Sequence, residues 1–388
     1  VLNMLSSDPS HRVPAFAKMA ALGQNVMNQF IPLVPRVWRK RMSSPLFSGK
    51  GPALGMVSIY ESLHLERNAA AHLFLPVSGD ISAQGVLEGR VPAVLYFPGC
   101  GGSLFYRRIA LASLALMMYA GVPVVMPGRH LCCGYPLLAA GAAEQYEVNL
   151  QRNRQVIAAT LQAAAEAGFD VNMLVTACGS CRESLMRHGI TGVDGSVLPH
   201  NDIVQLLVDR LPHDVAVSSE RIIYHSSCHP AWSGVKATKD GGKVARALER
   251  ITGASILLNP GCCGESGAGA YTCPEIYNTL RERKRERLES ALAGYTADAP
   301  ILVGCPSCKI GIARTLMTMD VKHPARGKDK SMEEDKPVID THRPVLHNSE
   351  WLAETLLGKN WLSTFKAQAS RTEGHPGVRV VCMEPRKR

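Results

Sequence analysis

Short apolar runs rich in β-branched residues alternate along the chain with longer stretches in which apolar positions recur every three or four residues. The runs are VPAVLYFP (91–98), VPVVMP (122–127), VNMLVT (171–176), RIIYH (221–225), ASILLN (254–259) and APILV (299–303). Each is a few residues long and is followed at once, or after one Ala, by Gly, Pro, Ser or Cys, the signature of a strand buried on both faces. Helical periodicity is clearest over 104–119, 142–167, 241–250 and 274–294. Strand alternating with helix predicts an α/β fold, with parallel sheets covered by helices on both faces.

One stretch tests this reading. IALASLALMMYAGVPVVMP (109–127) is apolar for long enough to span a bilayer. Ala120, Gly121, Val122 and Pro123 punctuate it as a helix stop followed by a strand, however, and a polar helix, KVARALERITG (243–253), precedes the matching strand further on. The expectation is a fully buried helix and strand.

The pattern is written twice. Cys100, the doublet Cys132-Cys133-Gly134 and the pair Cys178 and Cys181 recur roughly 130 residues later as Cys228, Cys262-Cys263-Gly264, and Cys305 and Cys308. The framework C…CCG…CxxC takes ten of the twelve cysteines, and only Cys273 and Cys382 fall outside it. Both units close alike, with SVLPHNDIVQLL and PVLHNSEWLAETLL. Four segments are expected: an N-terminal linker and helical segment (1–90), a first unit (91–215), a second unit (216–365) and a tail (366–388). Every framework cysteine follows a predicted strand. In open α/β sheets that is the edge where ligands bind, so five thiols from three loops should converge at one edge of each sheet.

Composition narrows the chemistry. The chain has 388 residues, 46% of them hydrophobic and 20% charged, an ordinary globular mixture. The net charge of +10 is spread too thinly to argue for nucleic acid, and the mixed-sign run RERKRERLES reads as a solvated helix face. Many cysteines with no apolar leader fit a reduced cytoplasmic compartment, where such patterns bind metal. A tetrahedral zinc site or a cubane iron–sulfur cluster takes four cysteines, and five is one too many for either. Sulfur ligation leaves iron–sulfur or zinc, and the fifth cysteine favours a cluster of unusual shape. Gly134 and Gly264 would let the chain turn against it without a Cβ in the way.

These residues resemble a known family, the cysteine-rich CCG domains found in heterodisulfide reductase and in the iron–sulfur subunits of glycolate- and lactate-oxidising enzymes. The resemblance implies one [4Fe-4S] cluster per motif, non-cubane in shape, with zinc as the alternative in one unit. Cys100, Cys132, Cys133, Cys178 and Cys181 would hold the first, and Cys228, Cys262, Cys263, Cys305 and Cys308 the second. The stretches NPGCCGESGAGAYTCPEIYNTLRERKRERL and ILVGCPSCKIGIARTL also look like the C-terminal part of FAD-linked oxidase fusions of the D-lactate dehydrogenase type. Such proteins carry a flavin domain and a ferredoxin-like module first. This sequence has neither a CxxCxxCxxxCP run nor a flavin-binding region and begins at Val1, so FAD is expected on a preceding domain or a partner. The implied function is electron transfer from that flavin, oxidising a 2-hydroxy acid, to a quinone or other carrier. The rival readings are a thiol/disulfide reductase and a zinc-stabilised assembly module.

Outside the framework, AALGQNVMNQFIPLVPRVWRKRM (20–42) reads as a linker, with docking to a partner or to the inner face of a membrane as the alternative; Pro32 and Pro35 would break a helix there. The charged stretch 319–343 is expected to be a surface insertion. His130 precedes the first doublet and His225 and His229 bracket Cys228; of these His229 is a candidate to tune a cluster by hydrogen bonding, whereas His200 and His347 share a repeat position and are expected to be structural. Cys273 is expected to open a helix and Cys382 to have no role as a ligand.

Overall fold

The computed structural model describes residues 9–30, 54–66, 69–76, 90–211, 221–229, 237–265, 274–293, 299–319, 343–370 and 378–383. Cys273, Pro32, Pro35 and the charged stretch at 320–342 lie outside the described residues.

The chain opens with helix α1 (Pro9–Phe30), a single turn α2 (Ile59–Ser62) and strand β1 (Ala71–Pro76). The first unit contributes β2 (Val91–Tyr96), β3 (Val124–Pro127), β4 (Phe169–Thr176) and β5 (His200–Asp202). The second contributes β6 (Arg221–His225), β7 (Ser255–Asn259), β8 (Ile301–Val303) and β9 (Val345–His347). All six apolar runs are strands. The four strands of each unit pair in parallel in the same order, β3-β2-β4-β5 in one and β7-β6-β8-β9 in the other. The repeat seen in the cysteines is therefore a repeat of topology.

The first sheet is wider than the repeat requires. Strand β10 (Val378–Met383), from the tail, pairs antiparallel with β1, which in turn pairs antiparallel with β3. Segments read as linker and tail thus also supply two strands. The physical reason is visible in AHLFLP, where five of the six positions are buried: an apolar strand has more to gain beside β3 than in solvent.

Helices cover the sheets. In the first unit these are α3 (Arg107–Tyr119), α4 (Tyr135–Ala139), α5 (Ala143–Glu166), α6 (Gly179–His188) and α7 (Ile203–Val208). In the second they are α8 (Ala237–Thr252), α9 (Pro274–Leu292), α10 (Pro306–Met319), α11 (Asn348–Leu357) and α12 (Trp361–Ala369). The long apolar stretch resolves into α3, buried from Ile109 through Met118, followed by the buried strand β3. It is apolar all round because it is enclosed all round. Among the described residues no helix is long and apolar enough to cross a membrane.

The enclosure comes from both units. One buried cluster joins Leu114 and Leu116 of α3 and Leu207 of α7 to Ile222 of β6, Leu248 of α8, Leu352 of α11 and Trp361 of α12. Polar ties cross the same seam. Glu350 of α11 is almost fully buried and pairs with Lys309 of α10 and with Arg108 of α3, while Ser113 of α3 donates to Ser349 Oγ at 3.1 Å. Burial alone would raise the Glu350 carboxyl, but Lys309 and the backbone bond from His347 outweigh it and hold it below the ordinary carboxylate value. Removing this carboxylate would strand the buried Lys309 ammonium, which costs about 3–5 kcal/mol. Glu350→Ala should lower the urea midpoint accordingly without changing its slope, whereas Glu350→Gln, which keeps the cap on α11, should cost less.

Candidate metal centres

Every framework cysteine sits just beyond the carboxyl end of a parallel strand. Cys100 follows β2 at the start of a π-helical turn (Gly101–Phe105), the doublet Cys132-Cys133 follows β3, and Cys178 follows β4 as the N-cap of α6. Cys181 lies in the first turn of α6. In the second unit Cys228 follows β6, Cys262-Cys263 follows β7, and Cys305 and Cys308 straddle the start of α10. Strand ends bring the three loops together, and helix N-termini add backbone N–H groups suited to an anionic group.

Side chains meet as the repeat predicts. Cys100 contacts Cys132, which contacts Cys133; Cys133 contacts Cys181, and Cys181 contacts Cys178. The second set repeats the order, with Cys228 against Cys262, Cys262 against Cys263, Cys263 against Cys308 and Cys308 against Cys305. The spacing of the motifs does not say how the two sets lie relative to each other. They touch: Cys178 Sγ is 3.7 Å from Cys305 Sγ, joining the first cysteines of the two CxxC pairs. Ten thiols form one continuous line, with its middle at the seam between the units.

The backbone comes equally close there. A Cβ on Gly101 would lie 2.7 Å from Pro306, and one on Gly179 would lie 2.4 Å from Ser227 Oγ. His229 crosses the seam as well. Its Nε2 is 3.0 Å from Ser180 Oγ, and its ring packs edge-on against Tyr135 at 4.6 Å. That places it within reach of Cys305, since Ser180 Oγ is itself 3.7 Å from Cys305 Sγ.

The glycine after each doublet behaves as the motif requires, for a different steric reason. Gly134 and Gly264 have φ of 79° and 71°, in the left-handed region. A Cβ on Gly134 would meet Asn149 Oδ1 at 2.7 Å, and one on Gly264 would meet Arg281 Cγ at 2.4 Å. It is the following helix, α5 or α9, that excludes a side chain, and not the thiol cluster. The tight turn aims each glycine N–H at the sulfur two residues back, at 3.5 Å from Cys132 and 3.3 Å from Cys262.

Thiols packed this closely cannot all ionise unaided. Contact with the next thiol, and then burial, hold Cys100, Cys181 and Cys308 well above the ordinary thiol range. A bound cation reverses that balance, because a coordinating thiol is deprotonated outright. The donor set, all soft sulfur with oriented N–H groups around it, fits an iron–sulfur group. The ten cysteines named in the sequence supply that donor set, five in mutual contact in each unit. Cys382 stands apart in β10, with its Sγ 3.4 Å from His72 Nδ1.

The two sets differ in their surroundings. In the first, four of the five cysteines are buried, and α1 lies over one side through Val13 and Ala17, which share a cluster with Cys132. In the second, Cys228 and Cys262 are half-buried. His225 ends β6 there, fully buried, with its ring hydrogen-bonded to the Asn259 backbone. Lys284 lies inside α9, donating to the carbonyls of Asn259 and Pro260 at 3.0 and 3.2 Å; burial lowers its pKa to about 7. Reading this charged run as a solvated face misses Lys284. The signal is spacing: Lys284 stands four residues before Leu288 and eight before Leu292, both buried, and so lies on the inward stripe. The neighbouring Arg285 is half-buried and pairs with Glu282 and Glu289. His347 is structural, its Nδ1 accepting from Ser349 N in the capping box of α11.

Fold and site together define a tandem cysteine-rich α/β protein with one five-thiol centre per unit. Comparison with known families agrees: the cysteine-rich domain model, CCG, matches residues 94–186 and again 222–313. The chain therefore carries two such domains. It is 27% identical over 225 residues to a subunit of the Fumarate reductase (CoM/CoB) of Methanothermobacter marburgensis, covering 57% of this chain and 42% of that protein. It is 26% identical over 220 residues to Lactate utilization protein A of Geobacillus kaustophilus, covering 53% of this chain and 86% of that protein. With the Glycolate oxidase iron-sulfur subunit of Escherichia coli it shares 24% identity over 235 residues, 57% of this chain and 54% of the relative. The chain spans a little under half the length of the first of these relatives.

Proposed function

We propose that this chain is the iron–sulfur electron-transfer component of an oxidoreductase, with one [4Fe-4S] cluster of non-cubane form in each five-cysteine set. Bound there, such clusters supply one-electron redox chemistry. The observation that carries the reading is the unbroken line of ten thiols across the seam, which sets the two centres side by side within one buried path. The chain's own residues shape that path. The strand ends fix the thiols, the glycine N–H groups point at sulfur, and the α3–α11 seam keeps the centres in register.

The names of the relatives support the wider setting. Relatives named for lactate utilization and glycolate oxidase favour electrons arriving from an FAD-bearing oxidase domain or subunit that oxidises a 2-hydroxy acid. A ferredoxin-like module would stand between, and a quinone or another carrier would accept the electrons. An exposed apolar stripe on α1, formed by Met19, Leu22, Val26 and Phe30, offers a face for that partner or for the inner surface of a membrane. A second reading, disulfide reduction at the second centre, draws support from the half-exposed Cys228 and Cys262, which leave that centre a side open to a small molecule.

Anaerobic purification followed by metal and sulfide assay tests the core of the proposal. About eight iron atoms and as many acid-labile sulfides per chain are expected, from two four-iron clusters. One zinc per motif without sulfide would overturn it. Reduction of the centres by the flavin oxidase partner in the presence of lactate or glycolate, and not by a dithiol, separates the first reading from the second.

A further inference from the structure

In each unit a buried polar side chain from the helix after the doublet braces the loop that carries it. In the first unit this is Asn153 of α5, whose Nδ2 donates to the Cys132 carbonyl at 2.7 Å and to Asn149 Oδ1 at 3.2 Å. In the second it is Lys284 of α9, equally buried. Its Nζ donates to the carbonyls of Asn259 and Pro260, at 3.0 and 3.2 Å, and to Asn259 Oδ1. A neutral amide is enough to brace such a loop, as Asn153 shows. The charge of Lys284 is not needed for that task.

An ammonium has three N–H donors, and three oxygens take all of them, so the geometry is that of the charged form. None of those oxygens carries a charge, and among the described residues no carboxylate pairs with Lys284. Taking a cation out of water without a counter-charge is strongly unfavourable. Lys309, the buried lysine next to Cys308, differs in this respect, because Glu350 neutralises it. The thiols are what Lys284 has instead. Charge on Cys263, Cys308 and Cys262 favours its ammonium, whereas burial and Arg287 oppose it. On the β6 side His225 faces the same ammonium and is held neutral by burial and by that charge. The attraction is reciprocal, so the ammonium favours negative charge on the thiol set. The first set has no buried equivalent among the described residues: Arg154 and Arg187, which act on His188 and Tyr146 beside it, are exposed and screened by water.

We propose that Lys284 is the counter-charge of the second centre, and that its buried ammonium sets the reduction potential of that centre above that of the first. The inference rests on the proposed iron–sulfur occupancy. Each electron added to a thiolate-bound cluster adds one negative charge, and a fixed cation in a poorly screened interior favours the more negative state. Net charge is among the factors that set such potentials. The consequence is a direction. One electron leaves the first centre, which is enclosed, and reduces the second, whose half-buried Cys228 and Cys262 leave a side open for its onward transfer.

The test is a redox titration of the whole chain, purified anaerobically and followed by paramagnetic resonance. Iron and sulfide assay comes first, because content for fewer than two clusters in the unmutated protein overturns the iron–sulfur proposal itself and not the role of Lys284 alone. With both clusters present, Lys284→Met and Lys284→Gln should lower the midpoint potential of one centre, the one whose signals Cys263→Ser removes, and spare the other. The expected change is about tenfold or more in the equilibrium constant for electron transfer between the centres, which is about 59 mV for one electron. Lys284→Arg keeps the charge and should restore most of the potential. Lys284→Gln keeps hydrogen-bond donors without the charge and should not, an order that a residue bracing the loop alone would not produce. Unchanged potentials in both neutral variants, or equal shifts of both centres, would overturn the inference. So would a potential in Lys284→Arg as low as in the neutral variants, or loss of the second cluster from both neutral variants, which would mark Lys284 as a structural brace.

Discussion

Cys263→Ser is expected to halve the iron and sulfide content, removing the signals of the second centre and leaving those of the first. The residue is buried and stands in the middle of its set, touching both Cys262 and Cys308, so no other thiol is placed to substitute for it. Serine is close in shape and keeps the backbone, and its hydroxyl is a poor ligand for soft metal sites. The fold should survive, because β6–β9 and the seam do not depend on this sulfur. Far-ultraviolet circular dichroism together with metal assay checks the expectation. Loss of both centres from this one change would mean that the ten thiols serve a single site and that the division into two sets of five is wrong.

The converse variant acts far from any thiol. Leu352→Asp should cost both centres at once, because Leu352 is fully buried in the cluster that joins α3 and α7 of the first unit to β6 and α8 of the second. Burying the leucine contributes about 1.5–3 kcal/mol, and an unpaired carboxylate in its place adds several more. A stability of about 5–15 kcal/mol is typical of a whole domain, so most of it is lost. The expected result is poor recovery of folded chain and iron content falling for both centres together. Retention of the first centre with loss of the second would show that the units fold independently.

These two variants separate what is local from what is shared, and the sequence is unequally informative on the two. Local structure is legible because it obeys short-range rules. Six apolar runs form six strands, and the helices expected over 142–167 and 274–294 are found at Ala143–Glu166 and Pro274–Leu292. The stretch at 109–127 is separable into helix and strand because Gly121 and Pro123 punctuate it. Other parts depend on distant partners. Strand β1 is hidden in a segment that reads as linker, since its partner β10 lies some three hundred residues away. Lys284 is hidden by its neighbours, whose charges give the run an exposed character that only the period of the helix contradicts.

By itself the sequence determined the donor pattern of this protein: ten cysteines, their division into two equal sets and their place after strands were fixed by spacing and repetition. Tertiary structure alone decided how those sets relate. Cys178 and Cys305 come within 3.7 Å of each other because α3 and α11 bury their apolar faces in a common core and hold the two units together. It also decided that the sets are not alike, bracing the second doublet with the buried ammonium of Lys284 and the first with the amide of Asn153. Spacing along a chain constrains what one loop can do. Which loops meet is set by the burial of side chains far from the site, and no motif records that.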